Sequence, residues 1–298
     1  MRVFVTGASG WIGSATVDEL LAAGHEVLGL ARTDAAEQSL KAKHATVLRG
    51  DLDDLDGLRR GAAETDAVVH LANKHDWANM ANSNRAERAA VETIAETLLG
   101  TDKPFVLASG LANLTPGRPA TETDRSPFVG PDSMRGGAEN LALDYAARGV
   151  RTIAARFAPT VHGARDHGFI AAIVAAAKRQ GVSAYVGDGT NAWSAVHRSD
   201  AVRLVRLALE QAPAGTILHA AAEQGVPARA IAEAIGRALD LPVTSIDPAD
   251  AAAHFGFIGT FFAMDMRASS TITRDRFDWV PTGPTLIEDI DAGAYTTA

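Results

Sequence analysis

The chain has 298 residues, 47% hydrophobic and 21% charged, which is a globular composition long enough for one large α/β domain or two modest ones. Its net charge of −8 comes without a long basic run, which argues against a nucleic-acid partner, because phosphate neutralisation needs clustered Lys and Arg. No cysteine occurs, so disulfides, thiolate metal sites and cysteine nucleophiles are excluded together, in keeping with a cytoplasmic location.

The chain opens on a core strand with no room for a signal peptide. Its apolar run Phe255–Met264 is about half the length of a membrane span. A soluble protein without a membrane partner is expected. The strand Val3-Phe4-Val5 leads into Thr6-Gly7-Ala8-Ser9-Gly10-Trp11-Ile12-Gly13 and then an amphipathic helix through Ala15, Val17, Leu20 and Leu21. A G-x-x-G-x-x-G run between strand and helix aims the helix's free N–H groups at a pyrophosphate. Gly7 allows the turn, Gly10 lets the backbone approach the phosphate, and Gly13 lets the helix lie close to the strand. Gly7, Ser9, Gly10, Trp11, Ile12 and Gly13 are therefore the expected dinucleotide contacts.

The second strand, His25–Ala31, ends where the adenosine ribose is read. An acid there accepts from a free 2′-hydroxyl, whereas a cation suits a 2′-phosphate. The chain has Ala31-Arg32-Thr33, so Arg32 predicts NADP(H), with NAD(H) the alternative. A helix (Asp34–Lys43) and a third strand (Ala45–Arg49) precede Gly50-Asp51-Leu52-Asp53-Asp54. Asp51 and the Leu52 amide are placed at the adenine edge, with Asp53 or Asp54 capping the next helix; capping alone is the competing reading. The run lacks the glycine and distal glutamate of a calcium loop, so no metal is expected.

The fourth strand and its exit, Asp66–Asn73, place Leu71, Ala72 and Asn73 beside the dinucleotide. Lys74-His75-Asp76-Trp77 then begins a long helix running to Leu99. His75 falls near the carboxyl ends of the strands, as a substrate residue or a solvated loop residue. A fifth strand (Phe105–Gly110), a Pro/Gly/Thr-rich loop over 111–131, a helix (Ser133–Arg148) and a sixth strand (Val150–Phe157) follow. This alternation predicts an α/β fold with a doubly wound parallel sheet, of Rossmann type. Residues 1–160 form the expected dinucleotide-binding domain, with Pro159 at its edge. Residues 161–298 form a smaller substrate-binding region packed on it as one structural unit.

These stretches resemble the short-chain dehydrogenase/reductases of the extended or atypical type, the NAD(P)-dependent epimerase/dehydratase group. The resemblance rests on Thr6-Gly7-x-x-Gly10-x-x-Gly13, Gly50-Asp51-Leu52, His70-Leu71-Ala72, Arg156-Phe157-x-Pro159-x-Val161-His162-Gly163, Val196-His197-x-x-Asp200 and Trp279-x-Pro281. It implies an oxidoreductase acting on a small organic carbonyl or alcohol, and a homodimer through helices at about 78–99 and 133–148. It also implies a Tyr-x-x-x-Lys pair, which this chain lacks. None of Tyr145, Tyr185 and Tyr295 has a lysine four residues on, and the family's two positions fall on Pro131 and Arg135. Arg135 is expected to replace the lysine toward ribose or phosphate, but a guanidinium donates no proton at neutral pH. Ser109 lies at or beside the family's serine position. His75, His162, His167 and Tyr185 are the candidates for moving a proton. Ser109, Arg135 and His75 are thus the candidate catalytic residues. The missing pair leaves two alternatives: a non-catalytic NADP-binding regulatory protein, and an epimerase or dehydratase of nucleotide sugars.

Overall fold

The computed structural model describes residues 1–76 and 79–296. In chain order the first elements are β1 (Arg2–Thr6), α1 (Trp11–Ala22), β2 (Glu26–Ala31), α2 (Asp34–Ala42), β3 (Thr46–Arg49), α3 (Leu55–Ala63), β4 (Ala67–His70), α4 (Met80–Thr97), β5 (Pro104–Gly110), α5 (Ala138–Ala146) and β6 (Arg151–Phe157). There follow β7 (Thr160–His162), α6 (Phe169–Gln180), β8 (Ser183–Val186), β9 (Ala192–His197), α7 (Arg198–Gln211), β10 (Thr216–Ala220) and β11 (Glu223–Pro227). The chain closes with α8 (Ala228–Leu239), β12 (Val243–Ile246), α9 (Ala251–Phe255), α10 (Ile258–Phe262), α11 (Thr271–Phe277) and α12 (Leu286–Asp291).

Two compact units result. The first comprises Met1–Ser109, Arg125–Arg156 and Val202–Leu218; the second comprises Gly110–Asp124, Phe157–Ala201 and His219–Ala298. The chain thus passes between units several times rather than once near residue 160. Residues 202–218 belong to the first because they lead into β10, which extends its sheet beside β6. Residues 110–124 belong to the second, where Leu111, Leu114 and Ala120 pack with Ala221 and Ala268, and Ala120 bridges to Ala268.

The first unit is built on a seven-stranded parallel sheet in the order β10-β6-β5-β4-β1-β2-β3. Val3–Val5, Val68, Val69 and Phe105–Leu107 are fully buried, as expected of strands covered on both faces. The order reverses at β1, whose neighbours are β2 on one side and β4 on the other. That reversal opens a crevice at the strands' carboxyl ends, where open α/β sheets take ligands.

Two helix expectations need correction. The long helix begins at Met80, not near Lys74: Asn79 caps it by accepting from the Asn82 N–H at 3.2 Å, and His75 has φ of 49°, which a right-handed helix cannot contain. Trp77, placed at that start, lies outside the described residues. The helix expected over Ser133–Arg148 is confined to Ala138–Ala146. Before it, Arg135, Gly136 and Gly137 take left-handed φ values of 56°, 61° and 62°. Paired glycines make helix costly there, and α4 offers other bonds: the Asn84 side chain accepts from the Arg135 N–H (2.9 Å), and Arg88 donates to the Gly136 carbonyl (2.8 Å).

In the second unit, β11-β9-β7 form one sheet and β12-β8 a two-stranded pair, around a core that includes Trp193, Ile231, Phe255 and Phe262. Here two of the sequence motifs meet. The Trp279 indole donates to the Asp200 carbonyl at 3.1 Å, and the Asp200 carboxylate accepts from the Thr282 and Gly283 N–H groups at 3.0 and 2.8 Å. No helix among the described residues is long and apolar enough to cross a membrane.

Candidate dinucleotide site

The glycine run forms a tight turn between β1 and α1. Gly7 has φ of 66°, and a Cβ there would stand 2.8 Å from the Ala72 nitrogen. A Cβ on Gly13 would stand 1.9 Å from the Gly7 carbonyl oxygen. Both positions therefore exclude any side chain. Gly10, the N-cap of α1, has no side chain to satisfy the helix's first N–H groups, and no acid occupies the first turn. An anion is the natural partner for such a terminus. Ser9 and Gly10 are exposed, and Trp11 and Ile12 half-buried, so the outer rim of the turn is open to solvent.

The exit of β4 lies against this turn. The Thr6 hydroxyl accepts from the Ala72 N–H at 3.3 Å and is hydrogen-bonded to His70 Nδ1 at 2.9 Å, and the Leu71 N–H donates to the Thr6 carbonyl at 3.2 Å. Burial, reinforced by the Arg135 charge, pushes the His70 pKa down to about 3, so the ring is neutral at working pH. This pairing, which fixes Leu71 and Ala72 beside the glycine turn, was not anticipated for His70 beyond its place at the end of a buried strand.

At the end of β2, Ala31 is buried and Arg32 is exposed. The Thr33 hydroxyl caps α2 through the Ala36 N–H (3.2 Å), and Arg49 pairs with Asp34 and Glu37. Among the described residues Arg32 has no ion-pair partner, which leaves its guanidinium available. Asp51 accepts from the Asp53 N–H at 2.9 Å, Leu52 is buried, and Asp54 caps α3 through the Gly57 N–H at 2.9 Å. Pro159 is half-buried and belongs to the second unit.

The candidate catalytic residues are each engaged. Ser109 lies at the end of β5 and donates to Glu139 at 2.5 Å. Both Glu139 oxygens also accept from Arg156, fully buried, at 2.6 to 3.1 Å. Ser109 thus presents lone pairs, not a proton, to a ligand. Arg135 pairs through Nη2 with Glu87, whose side chain is 1% exposed against 30% for the arginine. The other Glu87 oxygen accepts from the Asn73 amide, and Asn73 Oδ1 accepts from the His75 N–H at 2.8 Å. His75 has its pKa lowered, first by lost hydration and second by the Arg135 charge, so it too favours the neutral form. Arg135 does not stand one helical turn from residue 131, since no helix spans the two. The spacing that makes a Tyr-x-x-x-Lys pair work is missing along with its residues.

His162 was a second candidate for proton transfer. In the second unit it is buried, with Nδ1 2.6 Å from Asp289 on α12, and its ring lies edge-on to His197, centroids 5.5 Å apart. It holds its loop rather than opening to solvent, whereas His167 is exposed and Tyr185 stacks with Arg229 at 5.7 Å. Glu87, Glu139 and Arg156 were not singled out as site residues. Glu87 carried a signal: it falls on the helical stripe Ser83, Ala86, Ala90, Val91 and Ile94, where a charge needs a buried partner.

A doubly wound parallel sheet with a glycine turn that only a backbone can fill defines a dinucleotide-binding α/β protein. The chain belongs to the NAD dependent epimerase/dehydratase family, whose profile matches residues 3–221. It is 44% identical to an uncharacterized protein of Schizosaccharomyces pombe, covering 99% of this chain and all (100%) of that one. It is 30% identical to the 4-hydroxy-2-methyl-3-oxo-4-farnesyl-3,4-dihydroquinoline-1-oxide ketoreductase of Stigmatella aurantiaca, over 73% of this chain and 67% of that protein. Among solved structures it is similar to the dTDP-glucose 4,6-dehydratase DesIV of Streptomyces venezuelae, crystallised with NAD, with a TM-score of 0.79 at 20% identity over 99% and 96% of the two chains.

Proposed function

We propose that the chain is an NADP(H)-dependent oxidoreductase that moves a hydride between the nicotinamide and a small organic carbonyl or alcohol. The observation that carries the cofactor choice is Arg32, an exposed guanidinium beside a strand end without an acid. The ketoreductase relative supports a carbonyl substrate, being named for the reduction of a ketone. When bound, the cofactor supplies the hydride; the protein's residues orient it and the substrate. The glycine turn and the α1 N-terminus hold the pyrophosphate, Arg32 the 2′-phosphate, and Asn73 and Arg135 the far half. Ser109, as an acceptor, orients a hydroxyl or amide hydrogen. The proton that accompanies the hydride is relayed from water by His75 in its neutral form.

Arg32→Ala is expected to weaken NADPH binding by about tenfold, the worth of one charge-assisted contact, and to leave NADH unchanged. Fluorescence titration measures both; an unaltered preference overturns the NADP(H) assignment. A second reading, an NADP-binding regulatory protein without turnover, is favoured by the engagement of Ser109 with Glu139 and of Arg135 with Glu87. Oxidation of NADPH by any member of a carbonyl panel decides against it. A nucleotide-sugar epimerase or dehydratase ranks last, because that chemistry leans hardest on the missing tyrosine.

A further inference from the structure

Glu87 is a carboxylate that the proposed chemistry does not use, yet it is held with unusual completeness. Its side chain is 1% exposed on α4, and its two oxygens take different partners: Arg135 Nη2 on one, the Asn73 amide on the other. Asn73 in turn receives the His75 N–H. One buried charge thus ties together three residues from two separate segments, the exit of β4 and the turn before α5.

The backbone at Arg135 is shaped to allow this. A non-glycine residue at φ of 56° costs about 1–2 kcal/mol and persists where its surroundings over-determine it. Here Asn84 takes the Arg135 N–H, Arg88 takes the Gly136 carbonyl, and a Cβ on Gly136 would lie 2.4 Å from the Asn84 carbonyl oxygen. Three consecutive left-handed residues turn the chain so that Arg135 meets Glu87 while remaining 30% exposed.

Topology says where that guanidinium stands relative to a dinucleotide. The pyrophosphate-binding turn follows β1, and Arg32 follows β2 on one side of it. Asn73 follows β4 on the other side, and the sheet continues to β5, which carries Ser109 as its last residue but one. A ligand whose adenosine half lies over β2 and β3 must carry its other half over β4 and β5.

We infer that Glu87 is a positioning residue that sets Arg135 and Asn73 against the non-adenosine half of the bound dinucleotide. This rests on the dinucleotide reading above. Glu87 touches no ligand itself; it fixes two donors, and through Asn73 the backbone of His75. A neutral amide at 87 accepts from only one of its partners and leaves the other loose.

The test compares NADPH with adenosine 2′,5′-bisphosphate, which has the adenosine end alone, in titrations of the wild type, Glu87→Gln, and the double variant Glu87→Leu/Arg135→Leu. Glu87→Gln is expected to weaken NADPH by about tenfold, the cost of unfixing a charge-assisted contact, and to leave the bisphosphate within about twofold. The double variant, which buries no lone charge, is expected to show the same selective loss with an unfolding midpoint near that of the wild type. Equal losses for both ligands, or none for either, in a wild type that binds both, overturn this inference alone. A wild type that binds neither ligand overturns the dinucleotide reading and this inference with it.

Discussion

Arg156→Leu is expected to destabilise the protein by about 3–5 kcal/mol, because it strands the Glu139 carboxylate in a site from which water is excluded. Arg156 is fully buried and donates through Nε and Nη2, so the pair is held by several charge-assisted bonds in a fixed geometry. At about 2–4 °C per kcal/mol for a chain of this size, the unfolding midpoint drops by roughly 10 °C. Replacing both partners, Glu139→Leu with Arg156→Leu, is expected to recover most of that loss, since a buried pair costs about as much to desolvate as its attraction returns. Calorimetry of the two single variants and the double closes the cycle. A double variant as unstable as the sum of the singles would show that the pair is not the unit. The double variant also frees the Ser109 hydroxyl, which then donates to ligand instead of to Glu139.

Gly13→Ala is expected to cost more at the site than anywhere else a single methyl can be placed. The added carbon would lie 1.9 Å from the Gly7 carbonyl and 2.7 Å from its carbon, both backbone atoms, so the turn itself must move. That movement carries the first N–H groups of α1 away from the phosphate position. NADPH binding is expected to fall by at least about 100-fold, with a stability loss of about 3 kcal/mol. Gly24→Ala is the control. Unlike Gly13 it has positive φ, 80°, with open space around it, and is expected to lose about 1–2 kcal/mol with binding unchanged. Titration and thermal unfolding of both variants separate a displaced loop from a general cost of losing glycine.

The elements with local signatures were legible. Val3–Val5 and Phe105–Leu107 read as buried parallel strands because nothing polar interrupts them, and the glycine run declared the turn that only backbone can fill. Asp54 capped its helix as its residue type suggests. What failed was set by partners distant in sequence. The stretch 133–137 has a helical flavour by itself, but Asn84 and Arg88, about fifty residues earlier, offer its backbone better bonds in the left-handed form. The division into units was blurred for the same reason: β10 joins the sheet beside β6 though 65 residues separate Arg151 from Thr216, where the two strands start. The candidate site was named by motif, yet the roles changed once partners were visible. Ser109 is a candidate catalytic hydroxyl by position, but its proton goes to Glu139; Arg135, placed where the family has a lysine, is held by Glu87.

The most direct test of the central claim is a crystal structure of the protein with NADPH. The pyrophosphate is expected against Gly7–Gly13 and the N-terminus of α1, the 2′-phosphate against Arg32, and the nicotinamide half over the ends of β4 and β5 beside Asn73 and Arg135. A nucleotide bound away from the glycine turn, or bound there with its 2′-phosphate in solvent and its far half remote from Arg135, would contradict the account.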